Sequence, residues 1–370
     1  MNQRWIPVAA PSLVGNEKKY VMDCLETTWI SSNGKYIQQF ESAFAQFCGV
    51  KYAASCCNGT VALHLALLAL GIGPGDEVLI PTLTFIATAN AVTYTGATPI
   101  LIDSEPQTWN IDPALLEAKI TERTRAIIAV HIYGHPADMD AIWAVAKRHN
   151  LFVIEDAAEA HGAEYNNKRC GSLGHVGTFS FYGNKALTTG EGGMVTTDDP
   201  ALDAKIRSLK GQGMDPKRRY WFPVIGYNYR MTNIEAAIGL AQLEKVDFHL
   251  DARRNIARWY REALQDVPGI IWQIEQSWAK STQWMVSIVL DDTVSISRDD
   301  LMACLAEKGI ETRPIFYPMH ILPPYLSSDP FPVSDRLSQR GINLPTWAGL
   351  SQQDIQFISK SLASALSRGC

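Results

Sequence analysis

From Lys51 onward the chain alternates between two hydrophobic periods, and that alternation narrows the fold more than any other feature. "NGTVALHLALLALGI" reads as a helix ending at a glycine, and "DEVLIP" as a strand. "LTFIATANAVTYTG" reads as a helix, "TPILID" as a strand and "DPALLEAKI" as a helix. "TRAIIAVHIYG" is a strand, "MDAIWAVAKRHN" a helix, and "LFVIEDAAEA" a strand. Short, continuously apolar strands separated by helices form a buried, mostly parallel sheet covered on both faces.

Past Lys185 the pattern changes. "GGMVTTDD" is a strand and "PALDAKIRSLK" a helix, followed by the polar and aromatic run "GQGMDPKRRYWFPVIGYNYRMT". The next region is helical. Thr232 and Glu235 have capping-box spacing at its start, and Ile234, Ala237, Ile238 and Ala241 form one apolar stripe. In "QWMVSIVLDD", Trp284, Val286, Ile288 and Leu290 fall on one face of a strand. The helix "RDDLMACLAEKGI" follows, and prolines make "RPIFYPMHILPPY" irregular. A chain of 370 residues exceeds one simple core. We expect a large domain over residues 1–248 and a smaller C-terminal one over 249–370.

Composition removes several function classes. The net charge is −5, so the basic surface of a nucleic-acid binder is lacking. The segment "MNQRWIPVAAPSLVGNE" has no apolar secretory core. The stretch "VALHLALLALGIG" falls short of the roughly 18–20 apolar residues of a membrane span. The expectation is a soluble cytoplasmic protein. The seven cysteines have no CxxC spacing and are expected as free thiols. His131 and His135 are four residues apart, but Gly134 and Pro136 break any helix there, so no metal site is expected.

Three stretches carry chemistry. Asn58, Gly59 and Thr60 stand where the first strong helix begins; this is either an anion site or a plain helix cap. Asp156 ends an apolar strand, where ligands of parallel sheets bind, although a structural ion pair would also account for it. Glu159 lies close enough to share that site. In "GTFSFYGNKALTTGEGG", Lys185 sits among small residues, hydroxyls and glycines. A lysine held away from water has its pKa lowered and becomes a nucleophile, whereas a lysine snorkelling from a loop does neither. Together, an anion cradle, a strand-end carboxylate and a lysine suit pyridoxal phosphate. It needs a phosphate site, an acid for its pyridine nitrogen and an amine for its aldehyde. No nicotinamide fingerprint competes, because "GIGPG" follows a helix rather than a strand.

The stretches "NGTVALHLALLALGIGPGDEVLIPTLTFIATANAV", "VIEDAAEAHGA", "TFSFYGNKALTTGEGGMVTTDD" and "YNYRMTNIEAAIGLAQLE" resemble the DegT/DnrJ/EryC1/StrS sugar aminotransferases. The resemblance covers nearly the whole chain. It implies the α/β architecture of fold-type I pyridoxal-phosphate-dependent transferases. In that architecture a large domain has a mostly parallel seven-stranded sheet between helices, with a smaller C-terminal α/β domain. "TTWISSNGKYI", "KGQGMDPKRRYWFPVIGYNYRMTN" and "ETRPIFYPMHILPPY" look closer still to the GDP-perosamine-forming branch. That branch aminates GDP-4-keto-6-deoxy-D-mannose from L-glutamate for O-antigen and other surface polysaccharides. A UDP- or dTDP-linked 4-ketosugar is the alternative substrate. A dehydratase branch has His in place of the lysine, and Lys185 argues against it.

The resemblance further implies roles by position. Lys185 would form the Schiff base with the cofactor and shuttle the proton, the cofactor passing through its pyridoxamine phosphate form. Asp156 would pair with the pyridine nitrogen, and Glu159 would lie near the ring hydroxyl. Asn58, Gly59, Thr60 and Ser180 would hold the phosphate, and Phe85 would stack on the ring. The chain would form a homodimer or a larger homo-oligomer, with Asn228 of one copy reaching the phosphate in the other. Trp29, Ser31, Arg219, Tyr220, Tyr317, Met319 and His320 match sugar-nucleotide contacts. Arg313, before Pro314, would hold a carboxylate or phosphate bidentately, or else pair in the neighbourhood of Glu311.

Overall fold

The computed structural model describes residues 5–368. Its strands in chain order are β1 (Tyr52–Cys56), β2 (Glu77–Pro81), β3 (Thr98–Ile102), β4 (Thr124–Val130), β5 (Phe152–Asp156), β6 (Glu164–Tyr165) and β7 (Lys168–Arg169). They continue with β8 (Val176–Ser180), β9 (Gly193–Thr197), β10 (Ile270–Trp272), β11 (Ala279–Lys280), β12 (Val286–Leu290), β13 (Arg313–Pro314) and β14 (Gly341–Leu344). The main sheet has seven strands in the order β1-β9-β8-β5-β4-β2-β3. Its pairings are parallel from β8 through β3, and β9 runs antiparallel to both β1 and β8. This is the α/β, mostly parallel sheet expected from the alternation.

Both faces of that sheet are covered, which is why its strands read as apolar runs. Ala126, Ile128 and Val130 of β4 join one core with the helices Gly59–Ala69 and Ala87–Tyr94. Ile127 and Ala129 join another with the helix Met139–His149. Phe179 and Met194 pack against Phe40, Phe44 and Phe47 of the helix Lys35–Cys48.

Some sequence expectations shift. "DPALLEAKI" forms two 3-10 turns, Pro113–Leu115 and Glu117–Lys119, rather than an α-helix. Leu116, fully buried, pins the break between them. The helical region after Thr232 has the expected capping box but divides into Asn233–Leu243 and Val246–Leu264. Trp284 does not share a face with Val286. Gln283 adopts φ +56°, the strand begins only at Val286, and Trp284 packs in the core under the main sheet. Val286, Ile288 and Leu290 face the second core instead.

That second core lies against a four-stranded sheet of order β10-β12-β14-β13. The helices Val246–Leu264, Arg298–Glu307 and Gln352–Arg368 contribute to it. A small third sheet, β11-β6-β7, joins the segment after β5 to the chain before β12. Among the described residues no helix is long and apolar enough to cross a membrane. Cys24, Cys48, Cys56, Cys57 and Cys170 are free thiols, but Cys304 is disulfide-bonded, against the expectation that all the cysteines are free. The ring nitrogens of His131 and His135 are taken up by hydrogen bonds. His131 pairs with Glu155 and accepts from Ala137 N, and His135 contacts Pro136 O and accepts from Gln276 N.

Candidate active site

Helix and strand ends converge on a cavity of about 570 Å³ at the carboxyl edge of the main sheet. β1 leads into the helix Gly59–Ala69, β5 ends at Asp156, and β8 ends at Ser180. Asn58 caps the helix, its Oδ1 accepting from Val61 N at 3.0 Å. Gly59 and Thr60 line the cavity, and the first N–H groups of a helix have no partner inside it. Gly59 is required by close approach, because a Cβ there would lie 2.6 Å from Ser180 Cβ. The helix start and the end of β8 thus form one cradle with dipole-positive N–H groups at its mouth.

Two acids and one amine share this cavity. Asp156 is 6% exposed; its Oδ2 accepts from Thr88 Oγ1 at 2.8 Å and its Oδ1 from Ala158 N at 3.2 Å. Burial raises its pKa, opposed by the Thr88 and Ala158 hydrogen bonds and by the charge of Lys185. Glu159 Oε2 accepts from Tyr133 N at 2.7 Å, and burial pushes this acid up to about 7 against the pull of Lys185. Lys185 Nζ stands 3.8 Å from Glu159 Oε1, too far for a hydrogen bond, and 4.0 Å from the centroid of the Trp284 ring. Burial lowers its pKa, while Glu159 and Asp156 pull it back up.

Nine of the sequence-derived candidates line this cavity: Asn58, Gly59, Thr60, Phe85, Asp156, Glu159, Ser180, Lys185 and Arg313. The other eight do not. Asn228 lies elsewhere, its Oδ1 accepting from Arg230 at 2.9 Å. Trp29 lines a separate groove with Asp23 and Lys35, and Ser31 O accepts from Asn233 N at 2.7 Å. Arg219 and Tyr220 line a further groove with Lys217 and Arg230. Tyr317 is 52% exposed beside the cavity-lining Phe316. Met319 is buried in the core. The His320 ring bridges Thr82 Oγ1 at 2.8 Å and Asp335 Oδ1 at 2.9 Å and stacks on Phe331. The side chains of Met319 and His320 are therefore spent inside the fold.

Sequence reasoning missed Thr88, Tyr133, Trp284 and Phe316. Thr88 lies within the stretch read only as a helix, "LTFIATANAVTYTG". Tyr133 adopts φ +54°, and its ring stacks between Trp284 and Phe316. Nothing local in the sequence marks these contacts.

Comparison with known proteins decides the family. The model of the DegT/DnrJ/EryC1/StrS aminotransferase family matches residues 11–363. The chain belongs to the DegT/DnrJ/EryC1/StrS aminotransferase family. GDP-perosamine synthase of Caulobacter vibrioides is 56% identical over 364 residues, 98% of each chain. GDP-perosamine synthase of Escherichia coli O157:H7 is 51% identical over 360 residues, 97% of this chain and 98% of the other. The crystal structure of DesI, determined in the presence of its TDP-sugar product, superposes with a TM-score of 0.93 at 33% identity. It covers 100% of this chain and 94% of DesI.

Enzymes of this family depend on pyridoxal phosphate. The residues present fit that group. The Gly59–Ser180 cradle suits a phosphate, two buried carboxylates suit a cationic ring nitrogen, and a buried amine suits an aldehyde.

Proposed function

We propose that the chain transfers the amino group of L-glutamate to C4 of GDP-4-keto-6-deoxy-D-mannose, forming GDP-perosamine in the cytoplasm for surface polysaccharide such as O-antigen. The observation that carries this reading is the 56% identity to a GDP-perosamine synthase over nearly the full length of both chains. When bound, pyridoxal phosphate supplies an electron sink that stabilises charge at the carbon bearing the nitrogen.

The chain's own residues do the rest. Lys185 Nζ takes and returns the proton at the substrate carbon, which requires an amine that is neutral for part of the cycle. Its burial favours that form. Asp156 holds a proton at the pyridine nitrogen, and Thr88 fixes the orientation of its carboxylate. Glu159 sits beside Lys185, close enough to share a proton with it or with the ring hydroxyl. Asn58, Gly59, Thr60 and Ser180 bind the phosphate, and Phe85 covers the ring. Arg313, at the cavity rim, takes the carboxylate of the donor.

A homodimer with shared sites completes the reading. Tyr220, Trp221, Phe222, Val224 and Ile225 form an exposed apolar run, with Ile225 90% exposed, and such runs mark association surfaces. In this assembly Asn228 serves the cavity of the other copy, and Trp29, Ser31, Arg219 and Tyr220 frame the nucleotide. Tyr317 contacts the sugar. We divide the chain at residue 248, in the first turn of the helix Val246–Leu264. The main sheet precedes that point and the four-stranded sheet follows it.

Turnover with GDP-, UDP- and dTDP-linked 4-keto-6-deoxysugars, each with L-glutamate, tests the substrate. The GDP sugar is expected to be preferred by at least tenfold in kcat/KM. Preference for a UDP or dTDP sugar would move the reading to another branch of the family.

A further inference from the structure

Arg253, in the helix Val246–Leu264, is 3% exposed, and among the described residues it forms no ion pair with a carboxylate. Burying a guanidinium without a counter-charge is unfavourable by several kcal/mol unless its donors are satisfied. Here the two terminal nitrogens donate to main-chain carbonyls from three separate segments, while Nε has no partner among the described residues. Nη1 donates to Trp284 O and to Thr346 O, each at 2.8 Å, and Nη2 donates to Lys185 O at 3.3 Å. One planar fork therefore ties the loop after β8, the chain entering β12 and the chain leaving β14.

Two of those carbonyls belong to residues that also meet through their side chains, since the Trp284 ring lies 4.0 Å from Lys185 Nζ. The indole is fixed at its far end as well, Nε1 donating to Asn184 O at 2.9 Å. Asn184 directly precedes Lys185. The amine, the ring beneath it and the two segments that carry them are thus held by one buried cation.

We propose that Arg253 is a positioning residue for Lys185. It fixes the lysine main chain against Trp284 and sets an uncompensated positive charge behind the amine, so that the amine loses its proton more readily. An arginine serves where a neutral donor would not, because the guanidinium stays charged even when buried. Lys185 is faced by Glu159 and Asp156, which favour its charged form, and by Arg253, which opposes it. His161, buried nearby, is held neutral, its pKa lowered to about 3 mainly by burial. His249, four residues before Arg253, is lowered to about 4 by burial and by the charge of Arg253, with Glu17 opposing. Among these groups Arg253 is the permanent cation. This inference rests on the reading of Lys185 as the reacting amine, but its test does not require transamination.

The test is the pH dependence with which a neutral-amine reagent, cyanate, labels Lys185 in the full-length chain freed of cofactor. Labelling is read by peptide mass spectrometry, and folding is checked by circular dichroism. In R253Q the labelling midpoint is expected to rise by about one pH unit, so that the rate near neutral pH falls severalfold. R253K lacks the planar fork and sheds its proton more easily when buried, so its midpoint is expected between those of wild type and R253Q. A folded R253Q chain with the wild-type midpoint overturns the proposal. If R253Q does not fold, R253M, a neutral side chain of similar length, is read in the same way: a rise of about one pH unit supports the role and a wild-type midpoint refutes it. Failure of the aminotransferase reading would show separately, as absence of amine product from the wild-type enzyme.

Discussion

Thr88 Oγ1 donates to Asp156 Oδ2 at 2.8 Å, and Thr84 Oγ1 lies 3.0 Å from the Thr88 hydroxyl. Thr88, in the first turn of the helix Ala87–Tyr94, and Thr84, in the bend just before it, thereby set the carboxylate at the end of a neighbouring strand. Both hydroxyls are buried, so water does not replace them if removed. T88V is expected to raise the Asp156 pKa and weaken cofactor retention by about tenfold or more, since a hydrogen bond to a charged group is worth about 1.5–3 kcal/mol. T88S should retain most of the affinity. Equilibrium dialysis of both variants checks this, and equal retention by T88V and wild type would remove Thr88 from the site.

In the proposed mechanism Lys185 moves the proton. K185A is expected to keep its fold and still bind cofactor non-covalently, while amine formation falls by at least about 10²–10⁴-fold. Single-turnover assays by liquid chromatography measure this. Sustained turnover near the wild-type rate would show that another residue moves the proton.

Gly59 and Ser180 leave no space for a side chain between them. In G59A the new methyl group would meet Ser180 Cβ at 2.6 Å, forcing the helix start away from β8. The expected result is a loss of about 1–3 kcal/mol in the stability of the cofactor-free chain. Phosphate-group affinity should fall with it. Denaturant unfolding and titration with inorganic phosphate provide the two readings.

Glu159 makes the cofactor-free chain sensitive to pH. Its pKa in the folded chain, about 7, lies above the ordinary value of about 4.3. Between those values the folded chain holds a proton that the unfolded chain releases. Through this acid alone, stability falls as pH rises from about 4.5 to 7, by at most about 4 kcal/mol. E159Q should flatten this slope. Unfolding midpoints at pH 5.5 and pH 8 for both proteins check the sign.

Legibility in the sequence followed the range of the interactions. The apolar runs of β2, β4 and β5 announced a sheet buried on both faces, and Thr232 with Glu235 announced a helix start, because each signal is local. Asp156 and Lys185 were visible because strand ends and glycine-rich turns mark where a parallel sheet opens. Thr88, Tyr133, Trp284 and Arg253 were not visible, since their roles arise only when distant segments meet. Trp284 was assigned to the wrong face because the positive φ of Gln283 has no counterpart in side-chain periodicity. Met319 and His320 show the converse case. A segment can match a motif while its side chains turn into the core, Met319 against apolar neighbours and His320 between Thr82 and Asp335.

The most direct test of the account follows nitrogen. The enzyme, GDP-4-keto-6-deoxy-D-mannose and ¹⁵N-labelled L-glutamate are incubated together, and the sugar nucleotide is analysed by mass spectrometry alongside 2-oxoglutarate. The account predicts one ¹⁵N in each product molecule and one 2-oxoglutarate for each amine formed, with both signals lost in K185A. A sugar product that has lost oxygen without gaining nitrogen, or no consumption of glutamate, would contradict it.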